Sequence, residues 1–162
     1  MAVAHVILVV DDDDPVRVML ARLLRTQGYT VLQAANAQEA RTILEEQRPN
    51  LVISDIVMPG ESGIELRRAI ATRWPGLPVI LISGYDADGP AEFAARTANT
   101  YFVQKPFAAD YLLALVEATH THHASAPRFR IAGTCEHERR GIVEVAHQRL
   151  VATHELHHAF AG

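Results

Sequence analysis

The sequence predicts an α/β domain built on a five-stranded parallel sheet with a helix after each strand. Three observations favour this fold. Short β-branched and apolar runs alternate with longer segments of helical periodicity over about the first 118 residues. Capping residues or prolines follow several of the apolar runs. Apolar residues make up 49% of the 162 residues, which is enough for an ordinary buried core.

The first strand and the first helix are the most clearly marked elements. Val6 to Val10 is a continuous apolar run, as expected for a strand that is buried on both faces, and four aspartates follow it. Asp14 and Pro15 predict the N-cap and the first-turn proline of a helix. Gly28 predicts its end, because glycine readily adopts the left-handed conformation that follows many helices.

The remaining elements continue the alternation of strand and helix. Asn36 with Glu39, and Ser62 with Glu65, have the spacing of capping boxes, in which two side chains satisfy free backbone N–H groups. The predicted strands are residues 29–34, 51–54, 78–82 and 100–103. The predicted helices are residues 36–47, 62–73, 86–98 and 109–119. Such alternation predicts βαβ units, which form a parallel sheet with right-handed crossovers.

The last part of the chain departs from this pattern. Residues 120–127 are polar, rich in small side chains and closed by a proline, which predicts a linker. The linker would separate a domain at 1–119 from an extension at 128–162. Within the extension, residues 142–160 fit one more helix, although a strand fits its beginning equally well. Eight of the nine histidines lie beyond residue 118.

Composition and charge exclude several classes of protein. The net charge is −4 with neutral histidines, and no stretch has the basic character that nucleic-acid binding needs. The single cysteine, Cys135, excludes an internal disulfide framework and suits a reducing compartment. No secretory signal is visible, and the longest apolar run is too short to span a bilayer. We therefore expect a cytoplasmic protein that binds neither membrane nor nucleic acid.

Polar side chains follow four of the predicted strands at their carboxyl ends. Asp11 and Asp12 follow the first strand, Asp55 the third, Ser83 the fourth and Lys105 the fifth. Because the carboxyl ends of parallel strands share one edge, where ligands bind, we expect these side chains to converge. Crowded carboxylates repel each other unless a cation shares the site, and an oxygen-only set suits Mg²⁺. With the hydroxyl and the ammonium group, these are the parts that hold a phosphoryl group during transfer to a carboxylate.

Four stretches of the chain resemble the receiver domains of two-component response regulators, the family that includes the single-domain chemotaxis regulator. They occur in the family's order and at its spacing, each at a strand end, over roughly residues 5–118. The stretches are Val9 to Asp12, Ile53 to Gly60, Ile82 to Gly84 and Val103 to Phe107. The resemblance implies a flavodoxin-like, doubly wound sheet with strand order 2-1-3-4-5 and five flanking helices.

The resemblance also implies roles for the residues at the strand ends. Asp55 would be the phosphoryl acceptor. Asp11 and Asp12 would hold Mg²⁺ together with Asp55 and the backbone carbonyl of Val57. Four consecutive aspartates leave a shift of one residue open, and Arg17 favours the first two, because an arginine often stands at its position in the family.

The remaining implied roles concern the switch and its partners. Lys105 would pair with the phosphoryl oxygens, with a cis bond to Pro106. Ser83 and Phe102 would move on phosphorylation and reshape the face of the fourth helix, fifth strand and fifth helix. The domain would accept phosphate from a histidine kinase or a phosphotransfer protein and signal to a downstream protein, with homodimerisation as an option. It would catalyse only its own phosphorylation and dephosphorylation. A phosphorelay intermediate, or a receiver of the hybrid-kinase type, remains an alternative.

Two other interpretations rest on the tail. His154 to His158 matches the H-E-x-x-H pattern of zinc proteases, and two histidines four apart on a helix can bind zinc. The match occurs in a histidine-rich segment without a surrounding domain that could form a substrate cleft, so a polar tail is the preferred interpretation. A transcription factor with an atypical tail is a further alternative, but it would need a basic helix pair that the tail lacks.

Overall fold

The computed structural model describes residues 5–84 and 88–124, with side chains for residues 5–84 and 89–120. The chain divides into two units, Met1–Pro106 and Phe107–Gly162. The predictions for the extension at 128–162, its zinc-binding pattern and Cys135 lie outside the described residues.

A single five-stranded sheet with the order β2-β1-β3-β4-β5 forms the centre of the first unit. All four pairings are parallel. The strands are β1 (Val6–Val10), β2 (Thr30–Ala34), β3 (Leu51–Asp55), β4 (Val79–Ser83) and β5 (Thr100–Gln104). The predicted strand order is therefore confirmed, and each predicted strand boundary is within one residue of the observed one.

A helix follows each strand, which confirms the flavodoxin-like fold. The helices are α1 (Asp14–Thr26), α2 (Ala37–Gln47), α3 (Gly63–Arg73), α4 (Asp88–Arg96) and α5 (Ala109–Ala124). The predicted capping box at the start of α3 is present, with reciprocal hydrogen bonds between Ser62 and Glu65. No helix of the described residues has the length and apolar character that crossing a bilayer requires.

The N-cap of α1 is Asp13, so the prediction of Asp14 is wrong by one residue. The carboxylate of Asp13 accepts a hydrogen bond of 3.1 Å from the backbone N–H of Val16. Asp14 occupies the first helical position and forms an ion pair with Arg17. Both aspartates could cap the helix by their chemistry, and the contact with Arg17 distinguishes them.

Helix α5 extends to Ala124, which corrects its predicted end at Thr119. Its buried side chains recur at helical spacing and are Leu112, Leu115, Val116 and Thr119. The first residues of the predicted linker are therefore helical. The physical reason is that no glycine or proline occurs between Ala109 and Pro127, so polarity alone did not end the helix.

The core of the first unit occupies both faces of the sheet. Alternating strand residues on one face join side chains of α2 and α3 in a cluster that includes Leu8, Val10, Leu44, Val52, Leu66, Ile70 and Leu81. The intervening residues Ile7, Val9, Ile53 and Ile80 are also fully buried. Burial on both faces explains why the strand sequences are continuously apolar.

Helix α3 contributes a buried cation to this interior. Arg67 is 1% exposed. Its Nε donates to the hydroxyl of Thr100 at 2.6 Å and its Nη2 to the carbonyl of Ala98 at 2.6 Å. Among the described residues, Nη1 has no hydrogen-bond partner. Burial lowers the pKa of this guanidinium, and its hydrogen bonds tie α3 to the start of β5.

A shallow cleft of about 220 Å³ lies at the amino ends of β3 and β4. It is lined by Leu44, Arg48, Pro49, Trp74 and Leu77. The guanidinium of Arg73 lies 5.4 Å from the centre of the Trp74 ring. The cleft is therefore at the opposite end of the sheet from the strand ends that carry the polar residues.

Candidate functional site

Three carboxylates meet at the carboxyl edge of the sheet. Asp11 directly follows β1 and Asp55 is the last residue of β3. Because β1 and β3 are neighbours in register, with Val10 opposite Ser54, their ends lie side by side. Asp11, Asp12 and Asp55 each offer a carboxylate oxygen within 4.8 Å of the others. The sheet topology thus brings together the three aspartates that the sequence predicted.

The four aspartates after β1 have different contacts. One carboxylate oxygen of Asp11 accepts the backbone N–H of Asp13 at 2.9 Å. Asp13 caps α1 and Asp14 pairs with Arg17, so these two carboxylates are engaged away from Asp55. Asp11 and Asp12 are the pair that shares the cluster with Asp55, as the unshifted alignment of the sequence predicts.

Lys105 brings a positive charge to the same edge. Its Nζ lies 3.4 Å from Oδ1 of Asp55 and 3.7 Å from Oδ2 of Asp11. Its backbone N–H donates to the carbonyl of Ser83 at 2.8 Å, which fixes the residue just beyond the pairing of β4 with β5. The Lys105–Pro106 peptide bond is cis, as expected. The ammonium group therefore spans two of the three carboxylates.

Burial dominates the electrostatics of the two inner carboxylates. It raises the pKa of Asp11 and of Asp55. The charges of Asp12 and Asp13 raise the pKa of Asp11 further, and the charge of Asp11 raises the pKa of Asp55. The Lys105 ammonium lowers the pKa of both but does not cancel the effect of burial. Oxygen-only donors, negative charge and close spacing fit Mg²⁺, which would relieve this repulsion.

The raised pKa values predict that these carboxylates destabilise the metal-free protein at neutral pH. A carboxyl group with a higher pKa in the folded state contributes stability below its unfolded pKa of about 4, and the contribution is lost as pH rises through the folded value. In EDTA, Asp55→Asn is therefore expected to raise the free energy of unfolding by about 1 kcal/mol at about pH 7. The gain should shrink towards about pH 4.

Urea denaturation followed by circular dichroism measures this effect. Glu46→Gln, which removes one exposed negative charge from α2, is the matched control and should change the stability little. A lower stability of Asp55→Asn than of the unmodified chain in EDTA at neutral pH would contradict the argument.

The other predicted residues occupy the surroundings of this cluster. Ser83 is the last residue of β4 and is buried. Phe102 lies in β5 beside Leu81 and packs, partly buried, on the core cluster. Val57 follows Asp55 by two residues and has a 55% exposed side chain. The switch roles of Ser83 and Phe102 and the metal contact of the Val57 carbonyl stay predictions.

Gly63 is a site residue that the sequence did not single out. It is the first residue of α3, and its N–H donates to the carbonyl of Ile56 at 2.9 Å. A Cβ at this position would lie 2.2 Å from the carbonyl oxygen of Asp55. The missing side chain therefore lets α3 begin against the backbone of Asp55. The available signal was a glycine, a poor helix former, directly after a strong N-cap.

Comparison with known proteins gives a consistent result for this region. The family model described as "Response regulator receiver domain" matches residues 7–117. The nitrogen assimilation regulatory protein NtrX of Azorhizobium caulinodans is 35% identical over 116 residues, which are 70% of this chain and 26% of that protein. The chain thus spans about a quarter of that relative.

Solved structures show the same similarity. The receiver domain of NtrX from Brucella abortus has a TM-score of 0.63 and 35% identity, covering 70% of this chain and 96% of that one. A response regulator receiver protein from Pseudomonas putida has a TM-score of 0.68 and 34% identity, covering 72% of this chain and 98% of that one. Both similarities cover nearly the whole of those shorter chains.

Proposed function

Since the chain belongs to the response regulator receiver domain family, we propose that it is a phosphorylation switch whose acceptor is Asp55. A histidine kinase or a phosphotransfer protein supplies the phosphoryl group, Mg²⁺ assists the transfer, and the modified domain signals to a downstream protein. The convergence of three carboxylates and one ammonium group at the carboxyl edge of the sheet carries this proposal.

Asp55 supplies the nucleophile in this scheme. One of its carboxylate oxygens attacks the phosphorus atom, and a new O–P bond forms. The bond between phosphorus and the donor breaks, and the donor atom, a ring nitrogen of phosphohistidine, leaves with the electron pair. The product is an acyl phosphate, which water can hydrolyse back to the carboxylate. Asp55 suits this task because its side chain is only 12% exposed and lies beside a cation.

Lys105 compensates the negative charge that the phosphoryl group brings. Its Nζ already lies 3.4 Å from Oδ1 of Asp55, within reach of phosphoryl oxygens attached there. The contact to Asp11 at 3.7 Å holds the ammonium group over the cluster before transfer. The same charge would favour a dianionic donor group over a neutral one.

Asp11, Asp12 and Asp55 would hold Mg²⁺, together with the backbone carbonyl of Val57 that the family resemblance adds. Bound Mg²⁺ would neutralise charge on the transferring phosphoryl oxygens. Asp11 and Asp12 keep their carboxylates unmodified throughout. Asp11 is held by the N–H of Asp13 at one oxygen, which leaves the other oxygen facing the site.

Exposed apolar side chains support a protein donor that docks at this edge. Val57 follows the acceptor by two residues, and Val18 and Met19 lie one turn into α1, which starts at the end of β1. Their side chains are 55%, 41% and 55% exposed, respectively. Large exposed apolar groups in the segment after Asp55 and in the helix that starts at the same edge of the sheet suit contact with the apolar surface of a phosphodonor protein.

The proposed output involves α4 and β5. Ser83 is at the end of β4, and Phe102 lies in β5 against the core, so a shift at the phosphorylated site could reach β5 through them. The family resemblance also implies that α5 forms part of the output face. That role stays a prediction, as does homodimerisation. A phosphorelay intermediate uses the same chemistry, with the phosphoryl group passed on to a second protein.

Incubation with acetyl phosphate and Mg²⁺, followed by intact mass spectrometry, tests the proposal. We expect a gain of one phosphoryl group, about 80 Da, that is absent in EDTA. Asp55→Asn should show no gain. Asp110→Asn, which removes an exposed aspartate of α5, should be phosphorylated like the unmodified chain.

Two outcomes would overturn the proposal. Absence of a mass gain with both acetyl phosphate and a phosphorylated histidine kinase would mean that the pocket does not accept a phosphoryl group. A gain that persists in Asp55→Asn would assign the acceptor to another residue.

A further inference from the structure

We propose that Arg17 is a positioning residue for the metal ligands, an inference that rests on the proposed function. Arg17 lies in the first turns of α1, and its side chain is 14% exposed. Its Nη1 donates to the backbone carbonyl of Asp11 at 2.7 Å. Its Nη2 pairs with the carboxylate of Asp14. The guanidinium therefore bridges the first and the last of the four aspartates.

These contacts fix the backbone of Asp11 from several sides. Its N–H donates to the carbonyl of Ala34 at 3.2 Å, and its carbonyl accepts from Arg17. Its Oδ1 accepts the N–H of Asp13 at 2.9 Å. With both peptide planes and one carboxylate oxygen held, Oδ2 is directed towards Lys105 and the cluster. Apart from the carboxylate of Asp11 itself, Arg17 contributes the one side chain among these three bonds.

Arg17 binds the carbonyl of Asp11 and leaves its carboxylate to the metal. A guanidinium has paired donors in a rigid fork, so one group can hold a carbonyl and a carboxylate at once. The ion pair with Arg17 also holds the carboxylate of Asp14, which lies only two residues from Asp12 in the sequence. The loop can then carry four negative charges while only two of them take part in the cluster.

Removal of Arg17 should change the affinity for Mg²⁺ in the direction opposite to the one that simple electrostatics predicts. A positive charge near a cation site repels the cation, so removal of Arg17 would tighten Mg²⁺ binding if charge alone mattered. Loss of a positioning group has the opposite effect, because the ligands are no longer held in place. Partners that orient metal ligands typically contribute 10-fold to 100-fold in affinity. We therefore expect weaker Mg²⁺ binding in Arg17→Met, by about 10-fold.

Titration of the full chain with Mg²⁺, followed by NMR shifts of the backbone amides of the β1–α1 loop, measures this affinity. Arg17→Met keeps the length of the side chain and removes the donors. Arg17→Lys keeps the charge but has one ammonium group for two acceptors, and an intermediate loss is expected. Arg22→Met removes an exposed charge from the same helix and should bind Mg²⁺ within about threefold of the unmodified chain.

The Mg²⁺ dependence of phosphorylation supplies a second measurement. If Arg17 positions the ligands, Arg17→Met needs about 10-fold more Mg²⁺ for half-maximal phosphoryl uptake, with a similar plateau. Equal or tighter Mg²⁺ binding by Arg17→Met, with the unmodified chain binding normally, would overturn the role of Arg17 alone. Absence of Mg²⁺ binding by the unmodified chain would instead overturn the proposed function, and this inference with it.

Discussion

Lys105→Met is expected to slow phosphoryl uptake from acetyl phosphate by about 100-fold at saturating Mg²⁺. Methionine keeps most of the length of the side chain but removes the charge 3.4 Å from Oδ1 of Asp55. Removal of one charge-stabilising donor from a preorganised site commonly has an effect of this size. Lys105 is the only lysine in the sequence, so no neighbouring lysine can supply the missing ammonium group.

The affinity for Mg²⁺, in contrast to the rate of phosphoryl uptake, should not fall in Lys105→Met. The ammonium group lies 3.4 Å and 3.7 Å from two of the three carboxylates, where it would compete with a bound metal cation. Lys105→Met should therefore bind Mg²⁺ as tightly as the unmodified chain or more tightly at neutral pH. This separates Lys105 from Arg17, whose loss is expected to weaken binding.

Initial rates of mass gain at saturating Mg²⁺ measure the effect of Lys105→Met. Lys105→Arg keeps the charge but changes its shape, and an intermediate rate is expected. A rate for Lys105→Met within about threefold of the unmodified chain would show that the ammonium group does not act in transfer.

Gly63→Ala is expected to lower the free energy of unfolding by about 2 to 3 kcal/mol. The added Cβ would lie 2.2 Å from the carbonyl oxygen of Asp55 and 3.0 Å from its carbonyl carbon. Both are backbone atoms, so the backbone at the end of β3 or at the start of α3 must shift. A shift at this point would move Asp55, the proposed acceptor, and phosphoryl uptake should fall with the stability.

Gly89→Ala is the matched control for this variant. Gly89 also lies in the first turn of a helix, but no atom of the described residues lies within 4 Å of the position that its Cβ would occupy. Alanine should therefore leave the stability unchanged or raise it by up to about 1 kcal/mol. Urea denaturation followed by circular dichroism compares the two variants, and equal effects at both positions would refute the close-contact argument.

The site was predictable because it follows from the strand ends. Buried strands give continuous apolar runs, so Val6 to Val10 and Leu51 to Ser54 located two ends almost to the residue. A parallel sheet then places those ends along one edge. The convergence of Asp11 and Asp55 required only the order of the strands, which the family resemblance supplied.

Contacts between distant parts of the chain were not predictable in the same way. Arginine in a helix is expected to be exposed, yet Arg67 is buried against the start of β5. Gly63 is needed only because α3 begins against Asp55. Each of these depends on which surface a neighbouring element covers.

The cleft at the amino ends of β3 and β4 has a consequence for spectroscopy. Trp74 is the only tryptophan of the sequence, so it accounts for all indole fluorescence of the chain. It is partly buried beside Leu44 and Leu77, at the other end of the sheet from Asp55. Its emission should therefore report unfolding, while a metal ion or a phosphoryl group at Asp55 should be too far away to quench it directly. A change in emission on phosphorylation would then be a direct optical sign that the movement reaches the far end of the domain.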